Sequence, residues 1–146
     1  MATLSPARPM DLGTINGLLT RAGLPTEGLM DHLQTLWVLR ENGRIVGAIG
    51  YERYGDAALL RSLVVEDRQR GLGHGRVLLA AGVAGMRKAG IANAYGLTTT
   101  IPDLLARMGW RELPRAELPT SLSASAELGG ACPDSARAFH LPLGSA

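Results

Sequence analysis

The chain has 146 residues, of which 46% are hydrophobic and 19% are charged, and its formal net charge is +2. These values predict one soluble globular domain over residues 1–146, and the charge is too small to indicate a nucleic acid or an anionic membrane as partner. The single cysteine, Cys132, excludes an internal disulfide and multi-cysteine zinc sites, and we expect it to be buried as a small apolar group. The chain shows neither a secretory signal nor a membrane-spanning apolar run, so we expect a cytoplasmic protein.

The first half of the chain predicts one strand, two helices and three further strands. Asp11 is expected to cap the first helix, and Thr26 to begin the second. The pair Asn42–Gly43 accepts positive φ at low cost and predicts the turn of a hairpin. In chain order, these elements are a strand at 2–7, helices at 11–22 and from 26, a hairpin at 35–55 and a strand at 57–65.

The second half of the chain predicts a strand-to-helix crossover and a strand-rich tail. A glycine-rich turn at 71–75 leads into a helix that ends near residue 90. A strand at 91–100, a short helix with Pro102 in its first turn, and strands near 110–113 and 136–143 complete the chain. The order β-α-α-β-β-β-α-β-α-β-β predicts a mixed α/β sheet, in which antiparallel hairpins precede one β-α-β crossover.

The turn itself, in VVEDRQRGLGHGRVLLAAG (64–82), has the features of an anion site. Unpaired N–H groups at a helix N-terminus attract phosphate, and glycines let an oxyanion approach the backbone. Arg68, Arg70 and Arg76 add donors suited to phosphate. The dinucleotide fingerprint would need glycine where Arg76 stands, and the P-loop signature Gly-Lys-Ser/Thr does not occur. The turn therefore predicts a phosphate-bearing ligand of another kind.

Residues 68–73, Arg-Gln-Arg-Gly-Leu-Gly, resemble the Arg-x-x-Gly-x-Gly loop that binds the acetyl-CoA pyrophosphate in the GNAT superfamily of N-acetyltransferases. The order of predicted elements is similar to that superfamily over essentially the whole chain. The resemblance implies the α/β GNAT fold, with a mixed six- to seven-stranded sheet flanked by about four helices. It implies acetyl-CoA as co-substrate and no metal, and a homodimer is a common state of superfamily members. The alternative is a glycine-rich turn with solvated arginines.

Shorter segments resemble particular members of that superfamily. YGDAALLRSLVV, LTTT, GWRELPRAELP and ACPDSA are similar to a subgroup of bacterial arsenic-resistance N-acetyltransferases, and LTTT…GW…LP is similar to the acetyltransferase domain of N-acetylglutamate synthase. Both resemblances imply that the acceptor is the amino group of a small amino acid or an analogue, such as an arsenic-containing glutamate mimic. A non-catalytic CoA-binding sensor or interaction module is the alternative from another functional class.

The superfamily resemblance also implies which residues hold the cofactor. The strand before the turn would offer a backbone N–H to the thioester oxygen and pair with the pantetheine amides. We expect the side chain of His74 to face solvent while its N–H joins the phosphate site. The implied cofactor-binding residues are Leu63, Val64, Val65, Arg68, Gln69, Arg70, Gly71, Leu72, Gly73, His74, Gly75 and Arg76.

Arg61 is the charged residue in the otherwise mostly apolar strand ALLRSLVV. It needs a partner, because an unpaired buried charge is costly. It either binds the acceptor's carboxylate or forms an internal salt bridge with a residue such as Glu52 or Asp56. Tyr51 and Thr99 are the other predicted acceptor-binding residues. A period of two predicts one strand face with Leu59, Arg61, Leu63 and Val65, and the other with Leu60, Ser62 and Val64.

The sequence determines the residues that act as acid and base less closely than it determines the cofactor-binding residues. Many superfamily members carry a tyrosine on the short helix that protonates the departing thiolate, but Leu105 occupies that place here. Thr98, Thr99, Ser62 or a water would then donate, or the thiolate would leave unassisted. Glu52, at a strand end, is the candidate base for the ammonium proton. The predicted catalytic residues are Glu52, Ser62 and Thr98.

Overall fold

Seven strands and three α-helices form the regular structure of the computed structural model, which describes residues 2–66, 71, 73–125, 128 and 135–144. The strands are β1 Ala2–Pro6, β2 Leu36–Glu41, β3 Arg44–Tyr54, β4 Ala57–Val65, β5 Asn93–Thr98, β6 Arg111–Leu113 and β7 Arg137–Pro142. The α-helices are α1 Leu12–Arg21, α2 His74–Lys88 and α3 Pro102–Arg107. Short 3-10 helices cover Pro9–Asp11, Met30–Thr35, Arg115–Glu117 and Thr120–Ala124. Cys132 lies outside the described residues.

The strands form one mixed sheet in the order β1-β2-β3-β4-β5-β7-β6. The neighbours β4 and β5 are parallel, and every other pair is antiparallel. The predicted mixed α/β sheet with one β-α-β crossover through α2 is confirmed. The second predicted helix is present as the 3-10 helix Met30–Thr35, which brings the helices flanking the sheet to four. It begins after Leu29, so the prediction that Thr26 begins it is wrong.

Helices cover both faces of the sheet near its centre. On one face, α2 packs against β3, and Gly82 allows a close approach because a Cβ there would lie 2.8 Å from Cδ1 of Ile49. On the other face, Ile15 and Leu19 of α1 pack with Val38. Among the described residues, no helix is both long and apolar enough to span a membrane.

A β-bulge interrupts the pairing of β3 with β4. Ala48 lies opposite Val64, but Gly50 lies opposite Arg61, so β4 has one more residue than β3 between these two pairs. Ser62, inside the bulge, has a φ of 61°, a conformation uncommon for any residue but glycine. Such bulges recur beside functional sites, where they redirect a strand.

The bulge reverses the alternation of side chains along β4. Leu63 and Val65 were predicted to share the face of Arg61, but they pack with Leu60 in the core under α2. Val64 was predicted to share the face of Leu60, but it packs with Ala48 in the core under α1. The prediction is wrong for these three residues because a period of two does not continue across an inserted residue.

The pairing of the parallel strands β4 and β5 ends just before the bulge. They pair only from Ala57 opposite Asn93 to Leu60 opposite Gly96. The rest of β4 therefore borders a cleft at the carboxyl ends of the two strands, which is where ligands bind in open α/β sheets.

Asp11 does not cap α1 through its side chain as predicted. It ends the preceding 3-10 helix, and its carboxylate accepts the backbone N–H of Arg8 at 2.9 Å and Nη2 of Arg40 at 2.8 Å. Burial raises the pKa of the Asp11 carboxyl, but the hydrogen bonds from Arg40 and Arg8 lower that pKa more, so it lies below its ordinary value. The ion pair joins the start of α1 to β2.

Asp11→Asn is expected to lower the free energy of unfolding at neutral pH by about 1–3 kcal/mol, because charge-assisted hydrogen bonds are lost. A carboxyl with a lowered folded-state pKa stabilises the fold above its unfolded pKa, and this contribution disappears as the pH falls through the folded pKa. The difference in the free energy of unfolding between parent and variant should therefore decrease at acidic pH. Urea unfolding at several pH values checks this, and a difference that stays constant from neutral pH to acid would contradict it.

Candidate functional site

A cavity of about 600 Å³ occupies the cleft between β4 and β5. Its wall from β4 is Leu63, Val64 and Val65, all predicted cofactor-binding residues. One edge of β4 pairs with β5 as far as Leu60. Beyond Leu60, the same edge of β4 faces the cavity. A free strand edge of this kind can pair its peptide groups with amides of a ligand.

The N-terminus of α2 forms the opposite end of this cavity. Gly71, Gly73, His74 and Gly75 all line it, as predicted for a phosphate site. Gly73 precedes the helix with a φ of 82°, and Gly71 has a φ of 83°, so the turn needs glycine for its backbone conformation. The first N–H groups of this 15-residue helix have no intrahelical partner. The arrangement fits a diphosphate at the helix start and an extended amide chain along β4.

Several predicted cofactor-binding residues do not add a described side chain to the cavity. Arg76 is exposed on α2, outside the cavity wall. The side chain of His74 was expected to face solvent, but it is only 13% exposed, and its Nε2 lies 3.7 Å from Oε2 of Glu41. The expectation fails because the end of β2 lies beside the start of α2. Arg68, Gln69, Arg70 and Leu72 lie outside the described residues.

A second, smaller cavity of about 70 Å³ adjoins the first. Leu24, Leu63, Thr100 and Ile101 line both, so the two spaces meet between β4 and β5. The smaller cavity receives most of the predicted acceptor and catalytic side chains. Those present in its wall are Arg61, Ser62, Thr98 and Thr99, together with Leu105.

Arg61 enters the smaller cavity as a buried and partly satisfied cation. Its side chain is 1% exposed, and Nη1 donates to Oε2 of Glu52 at 2.7 Å. Nε donates to Oγ of Ser62 at 3.1 Å. Within the described part of the chain, Nη2 is buried and has no hydrogen-bond partner. The structure thus contains the internal salt bridge between Arg61 and Glu52 that the sequence offered as one alternative. Nη2 remains without a partner among the described residues.

Glu52 lies behind Arg61 and does not line either cavity. Its side chain is 1% exposed, its Oε1 accepts the hydroxyl of Tyr54 at 2.6 Å, and Nε2 of His32 is 3.7 Å from its Oε2. Both carboxylate oxygens are therefore engaged inside the protein. The structure does not bring the predicted base to the acceptor space.

The two predicted hydroxyl groups do reach that space. Ser62 accepts from Arg61, as described above, and Oγ1 of Thr98 accepts the backbone N–H groups of Thr100 at 3.1 Å and Ile101 at 2.9 Å. A hydroxyl that accepts these bonds still has its own hydrogen to donate. Thr99 is exposed at the cavity rim. Leu105, in place of the expected tyrosine, is fully buried and offers no titratable group.

Tyr51 does not line either cavity. It lies opposite Leu60 on the α2 side of the sheet, where its ring stacks on Trp37 with a centroid distance of 5.9 Å. Burial raises the pKa of its hydroxyl. Tyr51 and Arg61 lie on opposite faces of the sheet, because consecutive strand residues point to opposite faces and Glu52 takes the face of Arg61.

Sequence reasoning missed the residues that close the space between the cavities. Thr100 and Ile101 lie two and three residues after the end of β5, so their place near the carboxyl end of a central strand was a usable signal. Leu24 and Pro25, which line the smaller cavity, reach it from the connection after α1. No local pattern marks that contact, because it depends on how α1 packs on the sheet.

Among the described residues, no group of three histidine, cysteine or acidic side chains could hold a metal ion. No curated protein sequence matches the chain significantly. A model of the acetyltransferase (GNAT) domain matches residues 32–112, more than half of the chain.

Solved structures of acetyltransferases share the fold at low sequence identity. N-acetylglutamate synthase from Neisseria gonorrhoeae, complexed with coenzyme A and N-acetyl-glutamate, is 21% identical with a TM-score of 0.83, over 98% of this chain and 35% of that one. A GNAT acetyltransferase from Staphylococcus aureus is 20% identical with a TM-score of 0.79, over 98% and 99%. The ribosomal-protein-S18-alanine N-acetyltransferase from Escherichia coli is 19% identical with a TM-score of 0.76, over 100% and 96%.

This chain spans only about a third of the N-acetylglutamate synthase chains that it matches. The sheet order, the cleft between β4 and β5, the glycine turn before α2 and the matching domain model all agree with the fold predicted from the sequence. The chain therefore belongs to the GNAT family of acetyltransferases, enzymes that use acetyl-CoA to acetylate an amine.

Proposed function

We propose that the protein acetylates the amino group of a small amino acid or amino-acid analogue, whose carboxylate or similar oxyanion binds Nη2 of Arg61. The observation that carries the proposal is that Arg61 lines the smaller cavity and that its Nη2 is buried without a partner among the described residues. A buried donor left unsatisfied is costly, and a guanidinium suits a carboxylate. A bound acceptor would satisfy it.

The larger cavity supports the cofactor side of the proposal. Acetyl-CoA, when bound, supplies an acetyl group already activated as a thioester. The N–H groups at the start of α2 would hold its diphosphate, and the open edge of β4 would orient its amide chain. Leu63 and Ile101, which line both cavities, would then keep water from the point where the amine meets the acetyl group.

The smaller cavity supports an assignment of Thr98 to proton donation. Two backbone N–H groups bind its oxygen, which polarises the hydroxyl toward donating its own hydrogen. The departing thiol has an ordinary pKa near 8.5, so a hydrogen bond to sulfur is sufficient help where Leu105 replaces the tyrosine. Ser62, held by Arg61, is the second donor at this site.

Thr98→Val is expected to lower kcat about a hundredfold while leaving the affinity for CoA unchanged, because it removes a donor that acts in the reaction. It should also cost about 1 kcal/mol of stability, since the turn bonds to Thr100 and Ile101 are lost. Thr98→Ser retains the hydroxyl and is the matched control. Steady-state kinetics decide the point: equal kcat values in the valine and serine variants would remove Thr98 from the mechanism.

The function is tested by measuring thiol release from acetyl-CoA with a panel of amines. The panel contains glutamate, aspartate, smaller amino acids, an arsenic-containing glutamate analogue and a short peptide with a free N-terminus. Turnover is expected with an amino acid or the arsenical and not with the peptide. Turnover of the peptide alone would contradict the proposal. Binding of CoA by calorimetry without turnover of any amine would instead favour a non-catalytic CoA sensor.

A further inference from the structure

The positive charge of Arg61 is already balanced inside the protein. Glu52 bonds Nη1 at 2.7 Å, and both side chains are 1% exposed, so the pair is isolated from solvent. The other groups near Glu52 are Tyr54, whose hydroxyl donates to it at 2.6 Å, and His32, 26% exposed and 3.7 Å away. The nitrogen that faces the acceptor thus belongs to an ion pair and not to an isolated cation.

We propose that Glu52 is a positioning residue that acts through Arg61 and sets the charge preference of the acceptor site. It keeps a single guanidinium nitrogen directed at the acceptor and offsets the positive charge behind that nitrogen. The site therefore recognises an oxygen that accepts a hydrogen bond more than it recognises a negative charge. This inference rests on the proposed function, since it concerns the same contact between Arg61 and the acceptor.

Two physical arguments support this role over that of a base. Both oxygens of Glu52 accept hydrogen bonds from Tyr54 and Arg61, and neither cavity reaches the carboxylate. An acceptor carboxylate on Nη2 would share one guanidinium with Glu52, so the two like charges would face each other in a water-poor interior. Repulsion is strong there, and it cancels part of the attraction to Arg61. A neutral oxygen at the same position does not meet this repulsion.

Glu52 also stabilises the protein when no acceptor is bound. An isolated buried guanidinium would be costly, because burial of an unpaired charge is far more unfavourable than burial of an ion pair. Glu52 removes that cost while it leaves Nη2 available. Ser62 contributes in the same way, because its oxygen occupies Nε and prevents Arg61 from turning a second nitrogen toward the acceptor.

Glu52→Gln tests the proposal because it removes the negative charge with little change of shape. We would measure kcat/KM for the best acceptor of the amine panel, and for analogues in which one carboxylate at a time is a primary amide. For the carboxylate that contacts Arg61, kcat/KM of the carboxylate acceptor divided by kcat/KM of its amide analogue is expected to rise at least about tenfold in the variant. The acid limb of the pH–rate profile should stay as in the parent.

Two outcomes with the folded variant would overturn the proposal. Equal decreases in kcat/KM for the carboxylate and amide acceptors would assign Glu52 a merely structural role. Loss of the acid limb of the pH–rate profile, with lower kcat for both acceptors, would restore Glu52 as the base. Tyr54→Phe is the matched control, because it removes the hydrogen bond to Glu52 without removing its charge, and its ratio should stay within about threefold of the parent.

The parent enzyme provides a second measurement if Glu52→Gln does not fold. With Glu52 in place, we expect carboxylate and amide acceptors to differ in kcat/KM by less than about tenfold. A preference above a hundredfold for the carboxylate would overturn the proposal. Failure of the proposed function gives a different result, because no amino acid of the panel would be turned over by the parent, and this inference would fall with it.

Discussion

Arg61→Leu is expected to lower the free energy of unfolding by about 3–5 kcal/mol, because it leaves the carboxylate of Glu52 buried without its partner. Glu52 is 1% exposed and would keep only the hydroxyl of Tyr54 and the more distant His32. Equilibrium unfolding in urea, followed by circular dichroism, measures the loss. A loss below about 1 kcal/mol would mean that the pair is solvated and that the interior of the site is not dry.

The double variant Arg61→Leu/Glu52→Leu separates stability from function. Replacement of a buried ion pair by apolar side chains is often neutral or stabilising, so most of the lost stability should return. The acceptor contact does not return with it, and kcat/KM for the acceptor should stay at least about a hundredfold below that of the parent. CoA affinity, measured by calorimetry, should be unchanged. A stable double variant with parental kcat/KM would remove Arg61 from acceptor binding.

The sheet and the glycine turn before α2 could be predicted because their signals are local. Asn42–Gly43 marks the hairpin, and the glycines at 71 and 73 mark the start of α2, where both adopt positive φ. Arg61 was also visible, since a charge in an apolar central strand needs a partner. These features depend on residue type at one position and on neighbours in the sequence, so they can be found without the fold.

The interior of the proposed acceptor site could not be predicted in the same way. The bulge at Ser62 has no glycine to announce it, yet it places Leu63 and Val65 on the face opposite to the predicted one. Glu52 looks like a solvated strand end in the sequence, but it is buried, and His32 from a distant segment lies 3.7 Å from its carboxylate. Both facts depend on how distant segments pack, and no local sequence pattern indicates that packing.

Gly73→Ala is expected to weaken the binding of CoA at least about tenfold, because the turn before α2 needs a positive φ. An L-residue in this conformation costs about 1–2 kcal/mol, and each 1.4 kcal/mol taken from the bound geometry is a factor of ten in affinity. A Cβ at Gly73 meets no atom within 4 Å, so the effect would arise from backbone strain and from the space that a diphosphate would occupy.

Gly55→Ala provides the matched control for this variant. Gly55 lies in the turn between β3 and β4 with a φ of 67°, and a Cβ there also meets nothing within 4 Å. Both substitutions should therefore cost similar stability, and Gly73→Ala alone should weaken the binding of CoA in calorimetric titration. Equal CoA affinities in the two variants would mean that the start of α2 does not hold the diphosphate. The rest of the cavity wall, which includes the peptide groups and apolar side chains of β4 and the cation Arg21, would then have to supply the affinity.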